Sequence, residues 1–413
     1  MEVESKRWES MKQKIIKSLL AIACLLGSTS VSAYDFEVDG IYYNVVSLSG
    51  LTCKVTSGNS KYTGDVVIPA TVNYSNRTLT VVGIADEVFR NCSNLTGITI
   101  PNTISSIGNY MFNGCTKLAT VTIEDGKTTL SLGYNSYTSP GNGKGLFYDC
   151  PITTLYFGRN LSYDTAYYYG YSPFYSVKTL QEVTISNSVT EIGYNAFYGC
   201  SGLMSVHISD LAVWCRIKFN TDYTNPLRYA HHLYLNNEEI TDLLIPNSVT
   251  SIGSYAFIGC SGLESVAIGN SVTSIGTCAF EDCRSLTNIT LGNSVTEIGN
   301  WAFAGCSGLT SLYSLNTTPP SIGSDNFTNN QYMTLNVYVP QEALTAYQSA
   351  NRWKDFWNLQ GFDPTGIDVT LMNSGEKTIK AAYDLGGKQL SQPQQGLNIV
   401  KMSDGTTKKI AVK

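Results

Sequence analysis

The sequence predicts one elongated solenoid in which each coil supplies a short parallel β-strand and a helical turn. The first observation is self-similarity: Ile245 begins the block IPNSVTSIGSYAFIGCSGLESVA, and similar blocks begin at Ile268 and Leu291, each 23 residues further on. The second is that further copies begin at Ile100 and Ile185. The third is the alternation of apolar and small polar residues inside each block, which is typical of strands with one face on a core.

Each repeat divides into three predicted segments. Val266 and Ile268 belong to a short strand, and their side chains are predicted to face the core. Val272 and Ile275 mark a second extended piece that ends at Gly276. The apolar spacing that follows favours one helical turn with its apolar side inward. The predicted structural core of the regular repeats consists of their Phe and Cys positions: Phe257, Cys260, Phe280, Cys283, Phe303 and Cys306.

The repeat region is flanked by segments of different character. We predict a signal peptide at residues 1–33, an N-terminal β cap at 34–80, the repeat solenoid at 81–330, a C-terminal cap with a helix at 331–362 and a short β tail at 363–413. Asp39-Gly40 lies between two strand-like runs and indicates a hairpin. Insertions near residues 133–144 and 162–172 interrupt the repeat.

The N-terminus is typical of an export signal. Basic residues precede a short apolar run, and Val31-Ser32-Ala33 fits a small-residue cleavage site. Met11 is an alternative start, and Cys24 is an alternative site of lipid attachment. No later stretch has the length and apolarity of a membrane span. We therefore expect an exported protein at the cell surface or outside the cell.

The C-terminal end is predicted to close the last coil and then form a separate small unit. Residues 341–359 read as helical, and four apolar side chains could cover the last coil: Leu344, Tyr347, Phe356 and Trp357. Three short strands are expected after residue 363. This tail is either a stable β module or a cleaved sorting signal.

The repeat resembles a known family. The pattern NSVTxIGxxAFxGCxxLxxVxI, found over about residues 80–330, is similar to the BspA-type leucine-rich repeat of anaerobic Gram-negative bacteria and some protozoa. The irregular stretch 210–246 resembles a coil common in that family, whereas Val177 stands where a repeat cysteine is expected. The resemblance implies a leucine-rich-repeat solenoid and a broad role in surface adhesion and host-matrix binding. The tail resembles a shortened C-terminal sorting signal.

Composition disfavours several functions. Only 14% of residues are charged and the net charge is −5, so no nucleic-acid partner is expected. With three histidines in 413 residues, we find no catalytic triad, no phosphate-binding loop and no specified carboxylate pair. We therefore expect no catalytic residues, no cofactor and no enzymatic activity.

Seven of the eleven cysteines occupy the same position of the repeat. Stacked coils would place them in a column with about 5 Å between neighbours and with their side chains pointing the same way. This arrangement favours buried thiols over disulfides, and a linear column without histidine does not suit a metal. We call these residues the slot cysteines: Cys92, Cys115, Cys150, Cys200, Cys260, Cys283 and Cys306.

A tyrosine-rich insertion is the predicted ligand site. Its candidate binding residues are Tyr163, Tyr167, Tyr168, Tyr169, Tyr171 and Tyr175. Exposed tyrosine gives a large contact area at low entropic cost, whereas the regular strands offer mostly small outward residues, with Tyr156 and Tyr313 as exceptions. The structural alternative is a loop whose rings pack over one flank.

Two functions remain open at this level. The preferred interpretation is an exported, adhesin-like surface protein that binds a protein or glycan on host or bacterial surfaces. The alternative is a carbohydrate-binding surface protein of a glycan-uptake system. The sequence names no ligand.

Overall fold

The chain winds as a solenoid whose coils stack through parallel strands. The computed structural model describes residues 33–136, 144–164 and 172–362, together with the backbone of four strands between residues 379 and 412. Within these residues, each regular coil contributes a longer strand to one face, a two- or three-residue strand to a second face, and a series of turns to a third side. The predicted fold class is therefore confirmed.

The strands are defined here in chain order. They are β1 (Phe36–Val38), β2 (Ile41–Ser47), β3 (Thr52–Thr56), β4 (Gly64–Val67), β5 (Thr71–Tyr74), β6 (Arg77–Ile84), β7 (Leu95–Ile100), β8 (Ser106–Ile107), β9 (Thr120–Ile123), β10 (Leu130–Leu132), β11 (Tyr134–Ser136), β12 (Lys144–Gly145), β13 (Thr154–Phe157), β14 (Leu161–Ser162), β15 (Glu182–Ile185), β16 (Glu191–Ile192), β17 (Ser205–Ile208), β18 (Lys218–Phe219), β19 (Leu233–Leu235), β20 (Glu238–Glu239), β21 (Asp242–Ile245), β22 (Ser251–Ile252), β23 (Ser265–Ile268), β24 (Ser274–Ile275), β25 (Asn288–Leu291), β26 (Glu297–Ile298), β27 (Ser311–Ser314), β28 (Ser321–Ile322), β29 (Asn336–Pro340), β30 (Asn358–Phe362), β31 (Ile379–Tyr383), β32 (Gln389–Leu390), β33 (Gly396–Met402) and β34 (Thr407–Val412).

Helices are few and short. The described α-helices are α1 (Leu211–Trp214), α2 (Leu227–Ala230), α3 (Asn329–Thr334) and α4 (Leu344–Ser349), and 3-10 turns lie at Asp222–Thr224, Gln341–Ala343 and Trp353–Asp355. The side chain of Asp210 caps α1 by accepting from two backbone N–H groups. Helix α1 and α2 belong to the irregular coil that interrupts the regular stack.

The longer strands form two parallel sheets, which we call the strand face. The first runs in the order β4-β7-β9-β13-β15-β17-β19, with β20 added as an antiparallel edge strand. The second runs β21-β23-β25-β27-β29-β30. Because neighbouring strands pair in register, equivalent residues of successive coils line up in rows across the face, as Val266 does with Leu243 and Ile289.

The second extended piece predicted in each repeat forms the other parallel face. Strands β22, β24, β26 and β28 pair in that order, with Ile252 opposite Ile275 and Ile275 opposite Ile298. These isoleucines are buried, so the two faces enclose one core between them.

The third side of each coil consists of turns, where the repeat pattern predicts one helical turn. Tyr255 has φ +64°, and the equivalent Cys278 and Trp301 have φ +54° and +53°, which a continuous right-handed helix excludes. The backbone N–H of Phe257 donates to the carbonyl of Ala279 in the next coil at 2.7 Å. The N–H groups of Ala256 and Ile258 instead bond within the turn, to the carbonyls of Gly253 and Tyr255, so bonds between coils alternate with bonds inside each turn.

Stacked phenylalanines run through the core. Phe257, Phe280 and Phe303 lie parallel, with ring centroids 5.0 Å and 5.5 Å apart and interplanar angles of 7° and 11°. A second ladder extends from Phe89 to Phe197 through the earlier coils. Each coil therefore buries its ring against the neighbouring coils, and the ladder couples the stability of adjacent repeats.

The chain ends differ from the regular coils. Asp39-Gly40 forms the predicted two-residue hairpin between β1 and β2. Near the C-terminus, the helical segment is shorter than predicted, because residues Asn358–Phe362 pair with β29 as a strand. Trp357 was predicted to cover the last coil but is 75% exposed, and Trp353 is buried there instead, with its indole N–H donating to the carbonyl of Pro320.

The tail contains four described strands where three were predicted. They form an antiparallel sheet in the order β32-β31-β33-β34. The predicted signal peptide at residues 1–33 lies, except for Ala33, outside the described residues.

Candidate functional site

The described members of the tyrosine-rich insertion pack against the solenoid. Tyr163 contacts the core, its hydroxyl donates to the carbonyl of Tyr194 at 3.0 Å, and burial raises the pKa of its phenol. Tyr175 stacks on Tyr198 with ring centroids 5.5 Å apart. The other four candidates, Tyr167, Tyr168, Tyr169 and Tyr171, lie outside the described residues. The contacts of Tyr163 and Tyr175 favour the packing alternative for these two rings.

The predicted core residues lie inside the solenoid, and the slot cysteines have a specific partner there. Phe257, Cys260, Phe280, Cys283, Phe303 and Cys306 are all fully buried. Five slot cysteines donate through sulfur to the carbonyl of the Phe in a preceding coil, at 3.0–3.5 Å. Each thiol therefore satisfies a buried backbone acceptor, a role that the sequence pattern alone did not suggest.

The cysteines are protected from thiolate chemistry. All ten described cysteines are free and buried. Burial raises the pKa of Cys115 and of Cys306 to about 12, which leaves almost no thiolate near neutral pH. Among the described residues, no group of three or more His, Cys, Asp or Glu could hold a metal ion.

Arg159 is a buried cation that the sequence did not single out. Its guanidinium donates to the carbonyls of Pro101, Asn102 and Ile104 at 2.8–3.0 Å, and it is fully buried. Desolvation lowers the pKa of the guanidinium, and Glu124 acts in the opposite direction. Because the partners are carbonyls of an earlier coil, Arg159 holds two coils together.

The three histidines make separate contacts. His207 Nε2 lies 3.1 Å from the Ser205 hydroxyl, and His231 Nδ1 lies 2.7 Å from the Gly259 carbonyl. His232 Nδ1 lies 2.6 Å from Glu239 Oε1, and the Tyr234 hydroxyl is also hydrogen-bonded to Glu239. In the described part of the chain, no histidine contacts both a nucleophile and a carboxylate.

Outward rings form a row across the first sheet of the strand face. Tyr156 pairs in register with Thr184, Thr184 with His207, and His207 with Tyr234. The rings of His207 and Tyr234 stack at 4.7 Å with an interplanar angle of 14°. All three rings are partly exposed, so the outward face here is not limited to small residues.

A depression of about 310 Å³ opens within this row. Tyr156 and His207 stand on either side of Thr184, and polar residues of the turns after the strands surround them: Asp125, Asn187, Asn236 and Asn237. We call this depression the strand-face slot. Asn236 and Asn237, with φ +53° and +69°, form the two-residue turn between β19 and β20, and thus raise its rim.

The Tyr156 wall of the slot is tethered. Its hydroxyl donates to Asp125 Oδ1 at 2.8 Å, and Asp125 follows β9, the neighbour of β13 on the side away from Thr184. Burial and the adjacent Asp125 both raise the pKa of Tyr156, so the phenol stays protonated and keeps donating. Because the Tyr156 hydroxyl is also hydrogen-bonded to Ser186, the ring is held in place at the edge of the slot.

A second outward aromatic group lies on the other sheet. Tyr313 and Tyr338 stack at 4.6 Å with an angle of 13°, and Phe362 meets Tyr313 edge-on at 5.8 Å. We refer to five outward rings together as the strand-face aromatics: Tyr156, His207, Tyr234, Tyr313 and Tyr338. The sequence identified Tyr156 and Tyr313 as outward, but the alignment of the rings depends on the register between coils.

The strand face, the second face of short parallel strands, the hydrogen-bonded turns and the buried Phe ladder together define a leucine-rich-repeat solenoid. The profile described as BspA type Leucine rich repeat region matches residues 82–213 and 230–351, in six copies. These residues make up more than half of the chain. The chain therefore belongs to the BspA-type leucine-rich-repeat family.

Several solved structures are similar to the chain. A leucine rich cell surface protein from Faecalibacterium prausnitzii A2-165 is 22% identical, with 81% of this chain and 100% of that chain covered and a TM-score of 0.32. A leucine-rich repeat protein from Bacteroides ovatus ATCC 8483 is 23% identical, with 80% and 100% covered and a TM-score of 0.28. The pneumococcal vaccine antigen PcpA is 17% identical, with 80% and 98% covered and a TM-score of 0.30. No curated protein matches the chain.

None of the described helices combines the length and the apolarity needed to cross a membrane.

Proposed function

We propose that this chain is an exported, non-enzymatic surface protein that binds macromolecules of a host or of neighbouring cells through its strand face. The observation that carries the proposal is the group of strand-face aromatics. Outward positions in the regular strands mostly hold small residues, whereas these five positions present partly exposed rings from a rigid scaffold. Tyrosine is among the residues that contribute most to binding energy at interfaces.

The geometry of a solenoid supports this use. Successive coils place equivalent residues at regular spacing, so a partner can contact several coils at once over an extended surface. The strand-face aromatics lie on both sheets, in strands from β13 to β29. A partner that bridges several of these rings would gain contact area without ordering a flexible loop.

Surface display is supported by the export-type N-terminal sequence and by the family resemblance. Antibodies against the purified protein should label intact cells of the source organism, and labelling only after lysis would contradict surface display.

The alternative function, a carbohydrate-binding surface protein of a glycan-uptake system, is favoured by one specific observation. The strand-face slot combines two ring walls with a polar rim, as sugar sites do. Both functions would use the same surface of the protein, and they differ in the chemistry of the partner that binds there.

The test uses the full chain immobilised on a sensor and a biotin-labelled extract of host extracellular matrix. A variant with all five strand-face aromatics replaced by Ser should retain at least tenfold less material than the wild type. The matched control replaces two exposed apolar residues elsewhere, Met204→Ser and Trp357→Ser, which are 59% and 75% exposed. The retained components are then identified by mass spectrometry and titrated individually against both variants.

Equal retention by the wild type and the five-residue variant would contradict the proposal. Circular dichroism and melting curves of each variant establish that the solenoid is folded in every comparison.

A further inference from the structure

The strand-face slot has the dimensions of a site for a single flat ring. Its walls, Tyr156 and His207, occupy register positions two strands apart, with only Thr184 between them. Strands in a sheet are separated by about 4.8 Å, so these two positions are about 9.6 Å apart. A ring in van der Waals contact on both faces needs walls about 7–8 Å apart. The slot therefore admits one ring with a small margin and does not admit two.

The ring planes of the His207 wall face into this gap. His207 stacks on Tyr234 at 4.7 Å, which is the spacing between strands, with an angle of only 14° between the rings. The two rings therefore stack on each other along the row. Tyr234 supports one face of the imidazole, and the other face is directed toward Thr184. On the opposite side, hydrogen bonds of the Tyr156 hydroxyl with Asp125 and with Ser186 fix this ring as the second wall.

The rim of the slot is polar and nearly uncharged. The side chains of Asn236 and Asn237 make no hydrogen bond to a described residue, and both residues are exposed. Asn187 accepts a hydrogen bond from the Ser209 hydroxyl at 3.2 Å through Oδ1, which leaves its amide N–H groups available. Asp125 is the one charged residue that lines the slot.

We propose that the strand-face slot binds one uncharged pyranose ring of a glycan, with the sugar held between Tyr156 and His207. This inference rests on the proposed function and specifies the chemistry of its ligand. A pyranose presents C–H groups on its faces, which suit aromatic walls, and hydroxyl groups around its edge, which suit the Asn and Asp side chains of the rim. The negative charge of Asp125 disfavours an acidic sugar.

A planar aromatic side chain of a protein partner would fit the gap less well. Its edge carries no hydroxyl groups to satisfy Asn187, Asn236 and Asn237, and polar groups that lose water without gaining a partner cost free energy. The polar rim thus favours a sugar ring over a Phe or Trp side chain.

The test is saturation-transfer NMR on the full chain with six free sugars: glucose, galactose, mannose, fucose, N-acetylglucosamine and N-acetylgalactosamine. In the variant Thr184→Trp, the larger side chain fills the space between Tyr156 and His207. Thr122→Trp is the matched control, because Thr122 occupies the same row on the other side of Tyr156, outside the slot. We expect saturation transfer to at least one sugar with the wild type and with Thr122→Trp. Thr184→Trp should bind that sugar at least tenfold more weakly.

Several results would overturn the inference. One is that the wild type shows no saturation transfer to any of the six sugars, and another is that Thr184→Trp binds a sugar as tightly as the wild type does. Tighter binding of glucuronic acid than of the neutral sugars, or tighter binding of N-acetyl-tryptophanamide than of any sugar, would also overturn it. If the sugars fail while the five-residue variant still loses matrix binding, the ligand class is wrong and the proposed function stands. If sugars bind while matrix retention is unaffected by that variant, the adhesin role fails and the glycan site stands.

Discussion

Phe280→Ala tests the role of the Phe ladder in the stability of the solenoid. Phe280 is fully buried between Phe257 and Phe303, with centroid distances of 5.0 Å and 5.5 Å. Loss of its apolar burial costs about 2–3 kcal/mol. A residual cavity of about 100 Å³ adds about 2.4 kcal/mol at roughly 24 cal/mol per Å³. We therefore expect a decrease of about 4–5 kcal/mol in the free energy of unfolding.

Urea denaturation followed by circular dichroism measures this decrease. With a slope near 3 kcal/mol/M, the midpoint should fall by about 1.3–1.7 M. Phe280→Leu retains most of the apolar burial and should cost only about 1–2 kcal/mol. Met204→Ala, at a residue that is 59% exposed, serves as a surface control with an expected change below about 0.5 kcal/mol. A loss below about 1 kcal/mol for Phe280→Ala would refute the packing argument.

Three further predictions concern groups outside the Phe ladder. Arg159→Met should lower the free energy of unfolding by about 3 kcal/mol or more, because three backbone carbonyls, two of them in buried hydrogen bonds, lose a charged donor; a change under about 1 kcal/mol in urea titration would contradict this. The slot cysteines should react with iodoacetamide at pH 8 only after denaturation, since burial raises their thiol pKa values; rapid labelling of the native protein, read by mass spectrometry, would count against their burial. Hydrogen bonds from Asn220 and Lys218 lower the pKa of Glu191, so its ionised form stabilises the fold above about pH 4.5, and this contribution is lost as the pH falls through the lowered value. Glu191→Gln should thus lower the melting temperature slightly at pH 7 and by less as the pH falls below 4.5, and an equal decrease at all pH values would exclude this explanation.

The repeat pattern was sufficient to predict the solenoid, because inward residues recur at a fixed period. Phe257, Phe280 and Phe303 are 23 residues apart in sequence and adjacent in the core. The predicted helical turn was not formed as an α-helix, because alternate N–H groups of the turn bond to the next coil. Such bonds depend on neighbouring coils, so they cannot be predicted from the local spacing of apolar residues.

The strand-face slot could not be derived from the sequence for a related reason. Thr184 and His207 are one 23-residue period apart, but Tyr156 precedes Thr184 by 28 residues and Tyr234 follows His207 by 27, so only the observed pairing places all four in one row. Arg159 was missed because its carbonyl partners are 55–58 residues away in sequence. The sequence assigned outward positions to Tyr156 and Tyr313, but not the register that aligns them with other rings.

Hydroxyl-radical footprinting tests the central claim that ligands are held on the strand face. The full chain is oxidised alone and in complex with the partner identified from the matrix extract, and modification of each aromatic side chain is read by mass spectrometry. We predict that the strand-face aromatics lose reactivity on binding, while Trp357, which is 75% exposed and lies just before β30, does not change. Protection confined to the tyrosines of residues 163–175, with the strand-face aromatics unchanged, would contradict the claim and assign binding to the insertion.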